Sequence, residues 1–267
     1  MLVKTNSLKM VPGNSTFFLT FVFFILLLLV SGLLLRGKRE RTKQIVLLIA
    51  CVITFIGYWM YKYALSMDAE YAVLHASMGG FNWWDELPLH LCNINMMLIP
   101  IAVLTKNRPL LSFCFLVGPL GALMAVAMPG VGFSGFPLFL PRILGYYGTH
   151  FMIIIEGLAL AVFGLYRPRY RDLPGTVLAA LALEFIVFLI SLLLRTAGLS
   201  PHANYFFTIE TEGNPLLEIF HSWIPYPFLY LLPCIPILLV YMLIVTTGFR
   251  LFGGREDAPA KRGSLPI

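Results

Sequence analysis

The chain has 267 residues, of which 59% are hydrophobic and only 12% charged, and its mean hydropathy is +0.84. Soluble domains carry about 25% charged residues, so this composition excludes soluble α/β enzymes, nucleic-acid binders and disordered scaffolds. The net charge of +6 is not a sign of nucleic acid here, because in so apolar a chain it is the placement of Lys and Arg among loops that carries information.

Seven stretches are long and apolar enough to cross a bilayer as helices, which takes about 20 residues. They lie at roughly 16–35, 44–65, 87–104, 109–128, 143–165, 174–194 and 224–248. The first follows Lys4 and Lys9 as a signal peptide would. It runs on to the basic cluster at 36–43 with no small-x-small cleavage site, which makes it a retained helix. Lys62, near the end of the second, is expected to snorkel to the interface. The third opens after Asp85, a residue suited to an N-cap, with Pro88 tolerated in the first turn. Gly118, Pro119, Gly121 and Pro129 in and after the fourth suit close helix approach and a turn. The fifth and sixth carry Glu156 and Glu184 near their middles. The loops at 66–86 and 195–223 are acidic and aromatic and are expected to cap the bundle. The expected organisation is a single seven-helix transmembrane domain over 1–252 and a polar, disordered tail over 253–267.

Lys and Arg alternate sharply between the two sides. The first, third and fifth loops and the tail hold 14, the opposite side holds 4, and Lys62 lies within a span. The positive-inside rule then predicts an all-α polytopic protein with its N-terminus outside and its C-terminus in the cytoplasm, most simply in the plasma membrane. On the outer side Trp83, Trp84 and Trp223 read as an interfacial belt.

This topology gathers the polar residues. His75, His90, His150, His202 and His221 all fall on outer loops or near outer helix ends. Cys92 lies about 7 Å and His150 about 10 Å below the starts of two inward-running helices, at 1.5 Å per residue. The two therefore reach similar depth, although depth alone does not make their helices neighbours. Within 90–95 four polar side chains (His90, Cys92, Asn93, Asn95) occupy six residues of a span. Facing lipid they would be costly, so they are expected to face a cavity, or else to join helices by hydrogen bonds. A helix N-terminus and a nearby imidazole both favour a thiolate at Cys92. Cys51, Cys114 and Cys234 sit among apolar residues and read as inert packing. With no CxxC pair, neither disulfides nor a metal site is expected. A metal site built from His90, His150 and Cys92 would lack a close ligand pair.

At Pro88-Leu89-His90-Leu91-Cys92-Asn93 the chain resembles the YwaF-like integral membrane family, whose hallmark reads leucine-proline-leucine-histidine-leucine-cysteine. Gly118 to Pro129, His150, Asn204-Tyr205-Phe206-Phe207 with Pro215, and Pro225-Tyr226 are similar to further stretches of that family. The chain departs from the family pattern at Met124, Met128-Pro129-Gly130 and Asn214-Pro215, where polar or charged residues are expected. A mammalian relative in that family is a multi-pass, phosphatidylcholine-dependent acyltransferase acting on lyso ether phospholipids. The resemblance therefore implies Cys92 as nucleophile and His150 as base, with His90 and Asn204 as helpers.

The expected activity is acyl transfer, or hydrolysis, on glycerophospholipids through a thioester on Cys92. The partners would be membrane phospholipids and lysophospholipids, with no nucleic acid and no cofactor. Asn93, Asn95, Asn204 and Tyr205 are the expected substrate-binding residues. A proton-coupled transporter or solute-binding component using Glu156 and Glu184 is the alternative. Against it, no internal repeat is visible.

Overall fold

The first helix, α1 (Ser15–Leu35), forms where an unbroken apolar run follows Asn14, whose side chain accepts the N–H of Phe17. The remaining elements of the computed structural model, which describes residues 8–76 and 80–252, follow the same logic of apolar runs between polar breaks. They are α2 (Glu40–Ser66), the short α3 (Ala69–Leu74), α4 (Leu91–Thr105), α5 (Arg108–Ala127), α6 (Pro141–Val162), α7 (Leu173–Thr196), α8 (Pro215–Trp223) and α9 (Cys234–Phe252). A two-residue antiparallel pair, β1 (Lys9–Met10) with β2 (Phe136–Pro137), ties the N-terminal segment to the loop before α6. The tail over 253–267 lies outside the described residues.

Among the described residues, six helices are long and apolar enough to cross a membrane, and α4 is a shorter apolar helix of 15 residues. The third expected span thus begins four residues later than its sequence suggests. Asp85 does not cap it, because its carboxylate accepts the hydroxyl of Ser200 instead. Pro88 disfavours helical geometry at Leu87, and His90, in extended conformation, is the N-cap. The last helix is also shorter at its start. Pro225, Pro227 and Pro233 break the run, leaving a 3₁₀ turn at Leu229–Leu231 before α9. The helix α8 occupies ground that reads as loop in the sequence.

The interior is built by α4, α5 and α6. Helix α6 packs against α1, α2, α4 and α5, and α5 packs against α4, α6 and α7. Helices α1, α7 and α9 turn Leu33, Leu34, Leu178, Leu193, Ile244 and Leu251 outward. Apolar surface of that extent around a helical bundle is suited to lipid. Glycines allow the closest approaches. A Cβ on Gly145 of α6 would lie 2.1 Å from the Tyr61 Cβ of α2, and one on Gly118 of α5 would lie 2.1 Å from the Asn95 Cγ of α4.

Charges close both ends. At the basic end Arg108 makes a two-pronged bond to Asp172, at 3.0 and 2.6 Å, and Lys106 meets Glu40 at 3.1 Å. At the opposite end Arg142, 1% exposed, donates to Asp68 at 2.6 Å, Glu70 at 2.7 Å and the Gly132 carbonyl at 3.1 Å. It thereby joins α3, the loop between α5 and β2, and α6.

Two outcomes follow from these contacts. Replacing Gly145 by Ala forces α2 and α6 apart at an atom that cannot swing away, costing about 1–3 kcal/mol. Gly148→Ala, with nothing within 4 Å of its added carbon, is neutral or stabilising; thermal melts of the two variants in detergent check the contrast. Burial pushes the Asp68 carboxyl up, but the Tyr71 N–H and the Arg142 guanidinium outweigh it and hold the group below its ordinary range. The clamp's charge contribution is therefore complete above the ordinary carboxylate pKa and is lost as pH falls through the lowered one. Arg142→Met should melt earlier than the parent at pH 7, with the gap narrowing as pH falls below the ordinary carboxylate range. A gap that does not change with pH would reduce the clamp to packing.

Candidate functional site

The start of α4 has no side-chain cap. The first intrahelical bond at this end runs from the Ile94 N–H to the His90 carbonyl at 2.9 Å, so the amides of Leu91, Cys92 and Asn93 are free of intrahelical acceptors. Starting at Leu91 puts Cys92 in the first turn, closer to the positive end of the helix than its sequence position suggests.

Helix α6 runs beside α4 and brings His150 to the same level. The Cys92 Sγ lies 3.4 Å from His150 Nε2, and His150 Nδ1 lies 2.7 Å from the Tyr146 carbonyl one turn earlier. A carbonyl only accepts, so Nδ1 carries the proton and Nε2 turns its lone pair to the thiol. The imidazole is also held by the Tyr146 ring at 4.4 Å. That ring stacks on Phe133 and anchors its hydroxyl to the Ala125 carbonyl at 2.8 Å. Both members of the pair are buried, with Cys92 7% and His150 4% exposed. Thiol, imidazole and backbone carbonyl thus stand in a continuous chain of polar contacts. The orienting role of Tyr146 does not stand out in the sequence, although its spacing four residues before His150 is the signal for it.

The other expected site residues divide. Asn93 and Asn95 are buried, and the Oδ1 of each lacks a hydrogen-bond partner among the described residues. The Asn95 amide nitrogen donates to the Cys114 carbonyl at 3.2 Å. His90 rests its ring 5.0 Å from that of Tyr205 and makes no hydrogen bond to either member of the pair among the described residues. Asn204 is occupied by its own loop: its Oδ1 accepts the N–H groups of Ile209 and Glu210, and its amide donates to Glu210 and Glu212. The Tyr205 hydroxyl donates to the Trp84 carbonyl and accepts the Leu87 N–H, bracing the segment that leads into α4.

Lys62 does not snorkel. It is 7% exposed and pairs with Glu86, between the rings of Tyr58 and Tyr61. Glu156 is buried and its Oε1 accepts the Thr54 hydroxyl at 2.5 Å, while its Oε2 has no partner among the described residues. The thiol of Cys51 lies against the same carboxyl, a polar neighbour that its local sequence does not reveal. Glu184 is half-buried on α7, and α6 and α7 each pack on α5, with no bond joining the two carboxyls among the described residues. No cluster of three or more His, Cys, Asp or Glu suited to a metal ion occurs among the described residues.

The sequence model of the TMEM164 family matches residues 11–246, from the turn before α1 to near the end of α9. The chain belongs to the TMEM164 family. As a TMEM164-family protein with six membrane-length apolar helices it is a multi-pass membrane protein. No curated protein and no solved structure matches it. The match spans the whole Cys92–His150 site of this TMEM164-family chain and the Tyr205 brace above it.

Tyr205→Phe leaves the Trp84 carbonyl and the Leu87 N–H without their partner. The variant should lose about 1–3 kcal/mol and melt several degrees earlier, with helical circular dichroism unchanged below the transition.

Proposed function

We propose that this TMEM164-family protein is an acyltransferase that moves fatty acyl chains between glycerophospholipids through a thioester on Cys92. The observation that carries the reading is the 3.4 Å contact from the Cys92 sulfur to His150 Nε2, with the other ring nitrogen tied to the Tyr146 carbonyl. The likeness of Pro88 to Asn93 to the YwaF-like family supports it.

In the first half-reaction His150 Nε2 takes the thiol proton and the thiolate attacks an ester carbonyl. The free amides at the start of α4 and the Asn93 side chain are the donors available to the tetrahedral oxyanion. The C–O bond breaks, the lysolipid alkoxide takes the proton back from the imidazolium, and the acyl chain stays on sulfur. In the second half a lysolipid hydroxyl gives its proton to His150 and attacks the thioester, returning the thiolate. If water enters in place of the lysolipid, the same sequence is hydrolysis. His90, the cap of α4, lines the approach to the thiol. Asn95, whose amide is held by Cys114 O, shapes the wall behind it, and Asn204 and Tyr205 shape the roof.

In this reading α4 is counted as the seventh span, residues 1–252 form one domain, and the basic end lies in the cytoplasm. The N-terminus and the thiol are then in the outer half of the plasma membrane. Ester carbonyls of phospholipids sit at that depth, between head groups and tails. An apolar groove of about 440 Å³ on the outward face of α2, lined by Phe55, Ile56, Trp59, Met60 and Tyr63, suits an acyl tail.

Intact-mass spectrometry after incubation with a defined phospholipid mixture tests the reading. The parent should gain a hydroxylamine-sensitive acyl mass, and Cys92→Ala should gain none. His150→Gln should form the adduct about 10²–10⁴-fold more slowly, while Glu156→Gln should match the parent. An unmodified parent with an unchanged lipid pool would overturn the proposal and bring transport through Glu156 and Glu184 forward.

A further inference from the structure

A cavity of about 290 Å³ lies at the basic end of the bundle, at the far end of α4 from Cys92, and the acyl-transfer steps do not use it. Glu40 and Gln44 line it from the start of α2, Lys106 from just past α4, and Arg108 from the start of α5. The apolar Val103 and Leu111 stand beside them.

Neither cation is used up by its partner. The Lys106 ammonium meets one oxygen of Glu40 at 3.1 Å, in a pair whose side chains are 70% and 61% exposed. Ion pairs this open to solvent hold little free energy, so the ammonium can turn to another anion. Gln44 donates to the same Glu40 oxygen at 3.0 Å, which leaves Glu40 a partner when it does. The Arg108 guanidinium spends Nε and Nη2 on Asp172 and the Arg167 carbonyl, while its Nη1 makes no bond among the described residues. The backbone of Lys106 is a separate sign. It closes α4 with φ 54° and ψ 27°, left-handed geometry that helix ends usually give to glycine. A lysine there keeps an ammonium where the turn alone would be better served by glycine.

The charge around the cavity is one-sided. Five Lys and Arg fall in 36–43, two in 106–108 and three in 167–171, against Glu40 and Asp172. The cavity also adjoins apolar surface. Val103 and Leu111 belong to the interior, and on the same stretch of α4 Ile101 and Leu104 face outward, 49% and 68% exposed. A free anion gains nothing from such flanks, whereas a phospholipid can set its phosphate on the cations and its chains along the helix. Basic pockets between membrane helices suit acidic lipid head groups for this reason.

We propose that this cavity binds the head group of an anionic glycerophospholipid, its phosphate held between Lys106 and Arg108, with Glu40 limiting the affinity. The bound lipid ties the starts of α2 and α5 to the end of α4. The site is independent of the chemistry at Cys92, so its failure leaves the acyl-transfer reading where it stands.

Full-length protein in dodecyl maltoside is titrated with phosphatidylglycerol, or with phosphatidylcholine of the same chains, and bound lipid is read by native mass spectrometry. The parent should hold phosphatidylglycerol the more tightly. Lys106→Gln should weaken phosphatidylglycerol about fivefold and leave phosphatidylcholine unchanged, and Glu40→Gln should tighten it. Lys38→Gln makes the same change of charge on the exposed loop before α2 and should stay within about twofold of the parent. Melting temperatures establish that all three are folded. Equal weakening by Lys106→Gln and Lys38→Gln marks an attraction spread over the whole surface and overturns the proposal. Equal binding of the two lipids by the parent overturns it as well. Complete displacement of phosphatidylglycerol by millimolar inorganic phosphate marks a site for free anions, which also overturns it.

Discussion

A polar group placed in hydrocarbon has to find its partner inside the protein, and this requirement organises the whole bundle. Helix α6 answers it along most of its length. Arg142 gathers two carboxylates and a carbonyl at one end, His150 takes the Cys92 thiol and the Tyr146 carbonyl about two turns further in, and Glu156 takes the Thr54 hydroxyl deeper still. Each of these bonds except the one to Tyr146 reaches another element. The order of helices around α6 is therefore fixed by hydrogen-bond pairing as well as by the fit of apolar side chains. Gly145 against Tyr61 lets α2 come near enough to take part.

Much of the helical framework is legible in the sequence, because bilayer-length apolar runs and the bias of Lys and Arg among loops are local signals. The equal depth of Cys92 and His150 is legible too, since depth along a helix is a count of residues. That their helices touch is not, because adjacency depends on which faces pack. The start of α4 reads wrongly from sequence for a related reason. Asp85 is a sound N-cap by its own neighbours, but its carboxylate is drawn to Ser200, 115 residues away. Lys62 is misread in the same way: its partner Glu86 comes from a turn 24 residues later, and no rule about lysines near helix ends supplies it.

Asn204 and Tyr205 illustrate another limit. A polar motif near a reactive residue draws attention to both its side chains, yet the polar atoms of these two are spent on backbone groups and on Glu212 of the outer loops. Their bonds fix loop backbone. Asn93 and Asn95 are different, for each keeps a buried oxygen without a partner among the described residues. A buried polar atom without a partner is uncommon in a folded interior and sets these two apart from Asn204 and Tyr205.

The brevity of α4 has a consequence for the chain around it. At 15 residues it is about 22 Å long, against a hydrocarbon core of about 30 Å. Around α4 stand α2, α5 and α6, and its Cys92 end is buried among them, so the missing length is made up by protein. Non-helical backbone at membrane depth is tolerated only where protein surrounds it. The segment before α4 meets that condition, for the Glu86 carbonyl accepts the Tyr58 hydroxyl and the Leu87 N–H is taken by that of Tyr205.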